Sequence, residues 1–128
     1  MSTNEQTKPF VLVVDDEEII HRLSERIFGE LGFDTVWASD GTTAKSLFEA
    51  FGERCSLLIL DIVLPDADGP ELARDFLGKY PETPILFTSG YGLDEDLLPL
   101  IKPGQIEFLA KPFTKNDLEQ RTLALLRF

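Results

Sequence analysis

Five short apolar runs punctuate the chain, and a segment of helical spacing follows nearly every one. The runs are FVLVV (10–14), DTVWA (34–38), LLIL (57–60), PILFTSG (84–90) and IEFLA (106–110), with DTVWA the weakest. Continuous apolar runs such as FVLVV suit strands covered on both faces. After the first run, Ile19, Ile20, Leu23, Ile27 and Leu31 recur at three- and four-residue steps, and Gly32 is placed to end that helix. Asp40 can cap a second helix with the stripe Ala44, Leu47, Phe48 and Phe51. In PDADGP, Asp68 reads as a cap and Pro70 as a first-turn residue, with Leu72, Ala73, Phe76 and Leu77 facing inward. Thr114 with Asp117 resembles a capping box opening the last helix, whose apolar side is Leu118, Leu125 and Leu126.

The segment 93–104, LDEDLLPLIKPG, has helical content interrupted by Pro99, which removes a backbone donor and crowds the preceding turn. With Asp96 as cap, Pro99 falls in the first turn, so the expectation is a short or distorted helix. The sum is (βα) five times. Parallel strands need crossover helices, and right-handed crossovers put helices on both faces. The fold class expected is α/β: a doubly wound (βα)5 sandwich on a five-stranded parallel sheet. Ligands of such sheets bind outside the carboxyl ends of the strands.

The 128 residues suit one domain, read as a loose polar lead-in over 1–9 and a single domain over 10–128. A hydrophobic fraction of 43% is too high for a disordered chain. The net charge of −11 argues against direct nucleic-acid binding, whose affinity comes from Lys and Arg on phosphates. It favours a cation, a basic protein surface or solubility. With Cys55 the one cysteine and His21 the one histidine, there is no internal disulfide and no basis for structural zinc. MSTNEQTKPF has no apolar core of a signal peptide, and no run approaches a membrane span. A cytoplasmic protein is expected.

One stretch then needs explaining. VLVVDDEE drives an apolar strand straight into four carboxylates, Asp15 to Glu18. Adjacent acids repel by about 4 kcal/mol per pair at close range in a protein. The strand ends supply the answer. Strand one ends at Asp15 and Asp16, strand three at Asp61, strand four at Thr88 and Ser89, and strand five at Lys111. All these ends share one sheet edge. Clustered carboxylates there suit a hard cation such as Mg2+, which takes one or two carboxylates, keeps waters and adds phosphate oxygens. A carboxylate can also act as a nucleophile and form an aspartyl-phosphate, with Lys111 and Ser89 stabilising the transferred group.

The motifs VVDDEE, LLILDIVLPDADG, FTSG and FLAKPF stand in the order and spacing of the response regulator receiver domains, and the chain resembles that family over residues 9–127. The resemblance implies a flavodoxin-like strand order 2-1-3-4-5. It implies a two-component phosphoprotein that takes a phosphoryl group from a histidine kinase or histidine phosphotransfer protein. Asp61 looks like the phosphoacceptor. Asp15, Asp16, Asp61 and the Val63 carbonyl look like the magnesium site, and Ser89 and Lys111 the phosphate-binding groups. Phe108 stands at the aromatic switch position, Thr88 beside Ser89, and Pro112 where the family typically has a cis proline. Such a domain is not an enzyme of other substrates: it catalyses only its own phosphorylation and dephosphorylation. Phosphorylation there draws the Ser89 loop inward, turns the aromatic residue, and alters the surface of the fourth helix, fifth strand and fifth helix. That surface meets a downstream effector, and a homodimer through it is among the implied arrangements.

The chain departs from the pattern at three points. Phe108 lacks the hydroxyl of the commoner Tyr, Pro99 interrupts the element that usually carries the signal, and Tyr91 is placed to overhang the phosphoryl group and slow attack by water. Plainer readings exist: Asp15 and Asp16 as helix caps, Lys111 as a solvated lysine, Phe108 as ordinary core. Glu17 and Glu18 read as exposed first-turn acids, His21 as a surface residue, and Trp37 and Cys55 as packing. Three other functions compete. A haloacid-dehalogenase-type phosphatase needs an acid where Val63 stands. A flavin site would meet three repelling acids and has no glycine-rich loop. A docking module without phosphotransfer would not need the intact site. Nothing in the sequence places a DNA-binding or catalytic region after residue 128, so both a stand-alone phosphorelay protein and a receiver excised from a hybrid kinase or longer regulator remain open.

Overall fold

A computed structural model describes residues 9–93 and 95–126. Residues 1–8, where most of the loose lead-in is expected, lie outside the described residues. The strands are β1 (Phe10–Val14), β2 (Asp34–Ala38), β3 (Cys55–Asp61), β4 (Ile85–Ser89) and β5 (Ile106–Ala110). The helices are α1 (Glu18–Gly29), α2 (Gly41–Phe51), α3 (Gly69–Lys79) and α4 (Lys115–Leu126). The strands form one parallel sheet in the order β2-β1-β3-β4-β5. The fold is therefore the doubly wound α/β sandwich read from the sequence.

Side chains alternate across a strand, and both sides of this sheet are covered. Leu12, Val14, Leu58, Leu60 and Phe87 face one layer with Phe48 of α2 and Leu72 and Phe76 of α3. Val11, Val13, Leu57, Ile59 and Leu86 face the other, with Ile27 and Phe28 of α1 and Leu118 of α4. That is why β1 and β3 carry almost no polar residue: neither face meets water.

The helix ends follow local chemistry. Asp40 accepts from the Thr43 N–H at 2.8 Å. Thr114 and Asp117 make the reciprocal pair of a capping box, each backbone N–H reaching the other's side chain at 3.0 Å. Asp68 holds the N-cap position of α3, as read, but its side chain makes no cap bond. Beyond Gly29 the chain closes through Phe33 N–H to the Phe28 carbonyl, with Gly32 at φ +87°, a conformation that favours glycine. In α1 the buried face is Ile20, Ser24, Ile27 and Phe28, while Ile19 is exposed, as are Leu31 in the turn beyond the helix and Phe51 at the end of α2. Ser24 tolerates burial because its hydroxyl donates to the Ile20 carbonyl at 2.8 Å.

The segment 93–104 carries a short, distorted helix, as expected, although its cap is Leu97 rather than Asp96. It is a single 3-10 turn, Leu98–Leu100, with Pro99 in it. Leu97, fully buried, fills the core beneath the turn, where a helix would have laid a longer stripe. The surface assigned to a fourth helix, β5 and the last helix is thus built here from that turn, β5 and α4. Its helix-based description is corrected.

Candidate functional site

Four of the five strands, β1, β3, β4 and β5, deliver site residues at the carboxyl edge. Asp15 follows β1 and is fully buried. Its backbone N–H donates to the Ala38 carbonyl at 3.1 Å, extending the pairing with β2 by one residue. Its carbonyl accepts from the Trp37 indole N–H at 2.7 Å. Its Oδ1 accepts from the Glu17 N–H at 2.8 Å. Asp16, next in sequence, is exposed. Asp61 closes β3 and is 7% exposed. Its Oδ1 accepts from the Val63 N–H at 3.0 Å and its Oδ2 from Lys111 Nζ at 2.9 Å.

Lys111 leaves β5 over the same edge, anchored by its N–H to the Ser89 carbonyl at 2.9 Å. The Lys111–Pro112 peptide is cis, as the resemblance implied. Its ammonium lies 3.0 Å from Asp15 Oδ2 and 3.5 Å from Glu17 Oε2 as well. The contact with Asp15 Oδ2 is an ion pair rather than an aligned hydrogen bond, and this buried oxygen has no hydrogen-bond partner among the described residues. Carboxylate oxygens of Asp15, Asp16 and Asp61 all lie within 4.8 Å of one another. Three acids against one lysine leave excess negative charge, and an open lone pair on a buried carboxylate completes a donor set suited to a hard divalent ion.

The electrostatics fit this crowding. Burial pushes the Asp15 carboxyl above its ordinary value, against the pull of the Glu17 N–H and Lys111, and the Asp61 charge adds to the push. Burial works against the Lys111 charge too, but its bonds to Asp61 and Asp15 outweigh that and hold it protonated above the usual lysine range.

Ser89 is buried at the end of β4, and its Oγ accepts from the Tyr91 N–H at 2.9 Å. Thr88 is paired in register with Asp61 and is fully buried; its hydroxyl has no hydrogen-bond partner among the described residues. Tyr91 is 87% exposed and Val63 is also exposed, so both stand on the rim. Phe108 is half-buried, paired in register with Phe87 and packed against the α2–α3 layer. The structure therefore gathers Asp15, Asp16, Asp61 and Lys111, with Ser89 ending the strand beside Asp61.

Sequence reasoning missed the roles of five residues. Asp66 accepts from the Gly41 and Thr42 N–H groups at 2.7 and 3.1 Å and from the Thr42 hydroxyl at 2.7 Å, pinning the loop after Asp61 to the start of α2. These bonds, the Thr42 hydroxyl first, hold its carboxyl below its ordinary value. Gly69 admits that loop against α3: a Cβ there would sit 2.6 Å from the Asp61 carbonyl oxygen. Glu17 touches Lys111 rather than only decorating a first turn. Trp37 bonds to Asp15, beyond a packing role, and His21 is half-buried against it rather than on the surface. Only Gly69 had a local signal, the DG step at a helix start. The other contacts are between elements.

An open parallel sheet with an acid cluster and a lysine at its carboxyl edge defines a receiver-type α/β module. The chain belongs to the response regulator receiver domain family, whose family model matches residues 11–123. It is a receiver domain of two-component signal transduction, a class of phosphoacceptors that work with kinases and effectors and bind Mg2+ in their acidic pocket. It is 33% identical over 123 residues to the probable transcriptional regulator ycf27 of Cyanophora paradoxa, covering 96% of this chain and 50% of that one. It is 31% identical over 108 residues to sensor kinase CckA of Brucella abortus (strain 2308), covering 84% of this chain and 11% of the kinase. Among solved structures, the receiver domain of the hybrid histidine kinase CckA superposes with a TM-score of 0.73 at 28% identity, covering 91% of this chain and 97% of that one. The chain spans about half the length of the ycf27 relatives it matches. No helix among the described residues is long and apolar enough to cross a membrane.

Proposed function

We propose that this receiver domain accepts a phosphoryl group on Asp61 from a phosphohistidine donor. The convergence of Asp61, Lys111 and Asp15 within 3.0 Å contacts carries this reading. An Asp61 carboxylate oxygen forms the new P–O bond as the P–N bond to the donor imidazole breaks, and that ring nitrogen keeps the electron pair. Lys111 holds its charge against the oxygens of the incoming group. The Ser89 hydroxyl donates to them once it rotates from its bond with the Tyr91 N–H. Asp15, Asp16, Asp61 and the Val63 carbonyl are the residues that would hold magnesium. When bound, the ion neutralises the acids and the charge developing on the phosphoryl oxygens.

The same residues serve dephosphorylation: water attacks the phosphorus, the P–O bond to Asp61 breaks with its electron pair left on the carboxylate, and inorganic phosphate departs, so the domain catalyses only its own phosphorylation and dephosphorylation. Tyr91, exposed on the rim, shields the group from that water. Phe108 is the residue whose packing separates the two states, because it has no hydroxyl to anchor either one. The donor is a histidine kinase or histidine phosphotransfer protein, the output a downstream effector protein, and the setting cytoplasmic. The CckA likeness and the partial coverage of longer relatives favour a receiver that works as one part of a hybrid kinase or longer regulator.

The test is incubation with a small acyl phosphate, with and without magnesium, followed by intact mass. A gain of one phosphoryl group that needs magnesium and is lost in Asp61→Asn is expected. A gain that survives Asp61→Asn overturns the assignment.

A further inference from the structure

Trp37 is the chain's single tryptophan, and packing alone does not account for its place. It belongs to the edge strand β2, paired with Val13, yet its indole reaches two residues further along β1 to donate to the Asp15 carbonyl at 2.7 Å. The ring is held in that pose by His21, stacked on it with centroids 5.4 Å apart and planes 10° from parallel. The accepting carbonyl is the one in the peptide that joins Asp15 to Asp16. The amide on the other side of Asp15 is fixed by the Ala38 carbonyl. Both peptide planes around Asp15 are therefore set by β2, one through its backbone and one through a side chain.

We propose that Trp37 is a positioning residue for the divalent-cation site, acting through the Asp15–Asp16 peptide. With that carbonyl held, Asp16 leaves the strand in a fixed direction although its side chain is exposed. The Glu17 N–H orients Asp15 Oδ1, so Oδ2, in its ion pair with Lys111, stays turned to the cluster. Without the indole N–H, the peptide can rotate at the very end of β1. The oxygens of Asp15 and Asp16, now within 4.8 Å of those of Asp61, then have to be ordered by the cation itself. This inference rests on the reading of the acid cluster as a magnesium site.

The variant is Trp37→Phe, which keeps an aromatic ring against His21 and removes the donor. Calorimetric titration with magnesium chloride is expected to give binding about three- to tenfold weaker than in the parent protein. The magnesium concentration for half-maximal phosphorylation rises by the same factor, while the rate at saturating magnesium stays near that of the parent. A role confined to packing would lower stability without this split. In the parent protein, Trp37 emission changes on adding magnesium, with the midpoint found by calorimetry. Equal magnesium affinity in the parent and Trp37→Phe overturns the proposal and leaves the acid-cluster reading standing. No magnesium binding by the parent overturns both. Should Trp37→Phe fail to fold, the parent's emission decides: a change at the calorimetric midpoint supports the proposal, and an unchanged spectrum overturns it.

Discussion

Replacing Lys111 by Met tests the electrostatic balance of the site most directly. The ammonium lies 2.9 Å from Asp61 Oδ2 and 3.0 Å from Asp15 Oδ2, with Asp15 fully buried and Asp61 nearly so. Met keeps the apolar stem and deletes the charge. Taking one partner from a buried ion pair costs about 3–5 kcal/mol, because the other charge is left uncompensated. The Lys111 side chain is 16% exposed, which admits some water, and the Glu17 contact is at the exposed rim and adds little. The expected loss is at the lower end, about 3 kcal/mol at neutral pH without divalent ions. With an unfolding entropy of about 2.1 cal/mol/K per residue over 128 residues, Tm falls by about 11 °C. Urea denaturation of parent and variant gives the difference. Two controls sharpen it. Adding Asp15→Asn to Lys111→Met recovers part of the loss, since the most buried charge is then gone. The gap also narrows as pH falls through the carboxylate range, where the stranded acids take up protons. A Lys111→Met protein within 1 kcal/mol of the parent at neutral pH, without divalent ions, would refute the reasoning, for the acids would then need no lysine.

Three other outcomes follow from single contacts. Gly69→Ala drives a methyl to 2.6 Å from the Asp61 carbonyl oxygen and 2.7 Å from Ile62 Cα, so it loses about 3 kcal/mol in a urea titration. A near-neutral change would mean that the loop shifts freely. Asp66 has its carboxyl held below the ordinary value, so its stabilisation is complete above the unfolded-state pKa of about 3.9 and disappears as pH falls through the lower folded value. The stability gap between parent and Asp66→Asn should be flat from pH 7 to 5 and close below about pH 4; a gap that widens on acidification contradicts the sign. Tyr91→Ala shortens the lifetime of the phosphorylated form, followed by intact mass after removal of the phosphodonor, and an unchanged lifetime removes Tyr91 as a shield against water.

The sheet was legible because its strands are buried on both faces: FVLVV and LLIL admit almost no polar residue, and the acid or lysine closing a strand marks its carboxyl end. Asp15, Asp16, Asp61 and Lys111 could be read from position alone, since a parallel sheet must bring those ends to one edge. The α1 stripe was misread at Ile19 because periodicity cannot tell which side of a broad apolar face meets the sheet, and at Leu31 because the helix ends at Gly29 and leaves Leu31 in the turn beyond it. Ser24 gave no hint of burial because its hydroxyl is satisfied by its own helix. The 93–104 segment has the composition of a helix, but Pro99 and the burial of Leu97 favour a turn. Asp66, Glu17 and Trp37 act on atoms 24, 94 and 22 residues away. No pattern within one element announces such contacts.

Asp66 has one more consequence. The first two amides of α2 are bonded to a carboxylate borrowed from the loop that follows Asp61, while the third is bonded to Asp40. In a nitrogen–proton correlation spectrum, Gly41 and Thr42 are therefore spectators of that loop, and Thr43 is an internal reference beside them. Any displacement of the loop reads out as shifts in the first pair with the third held still, across a helix that never touches the reacting atoms.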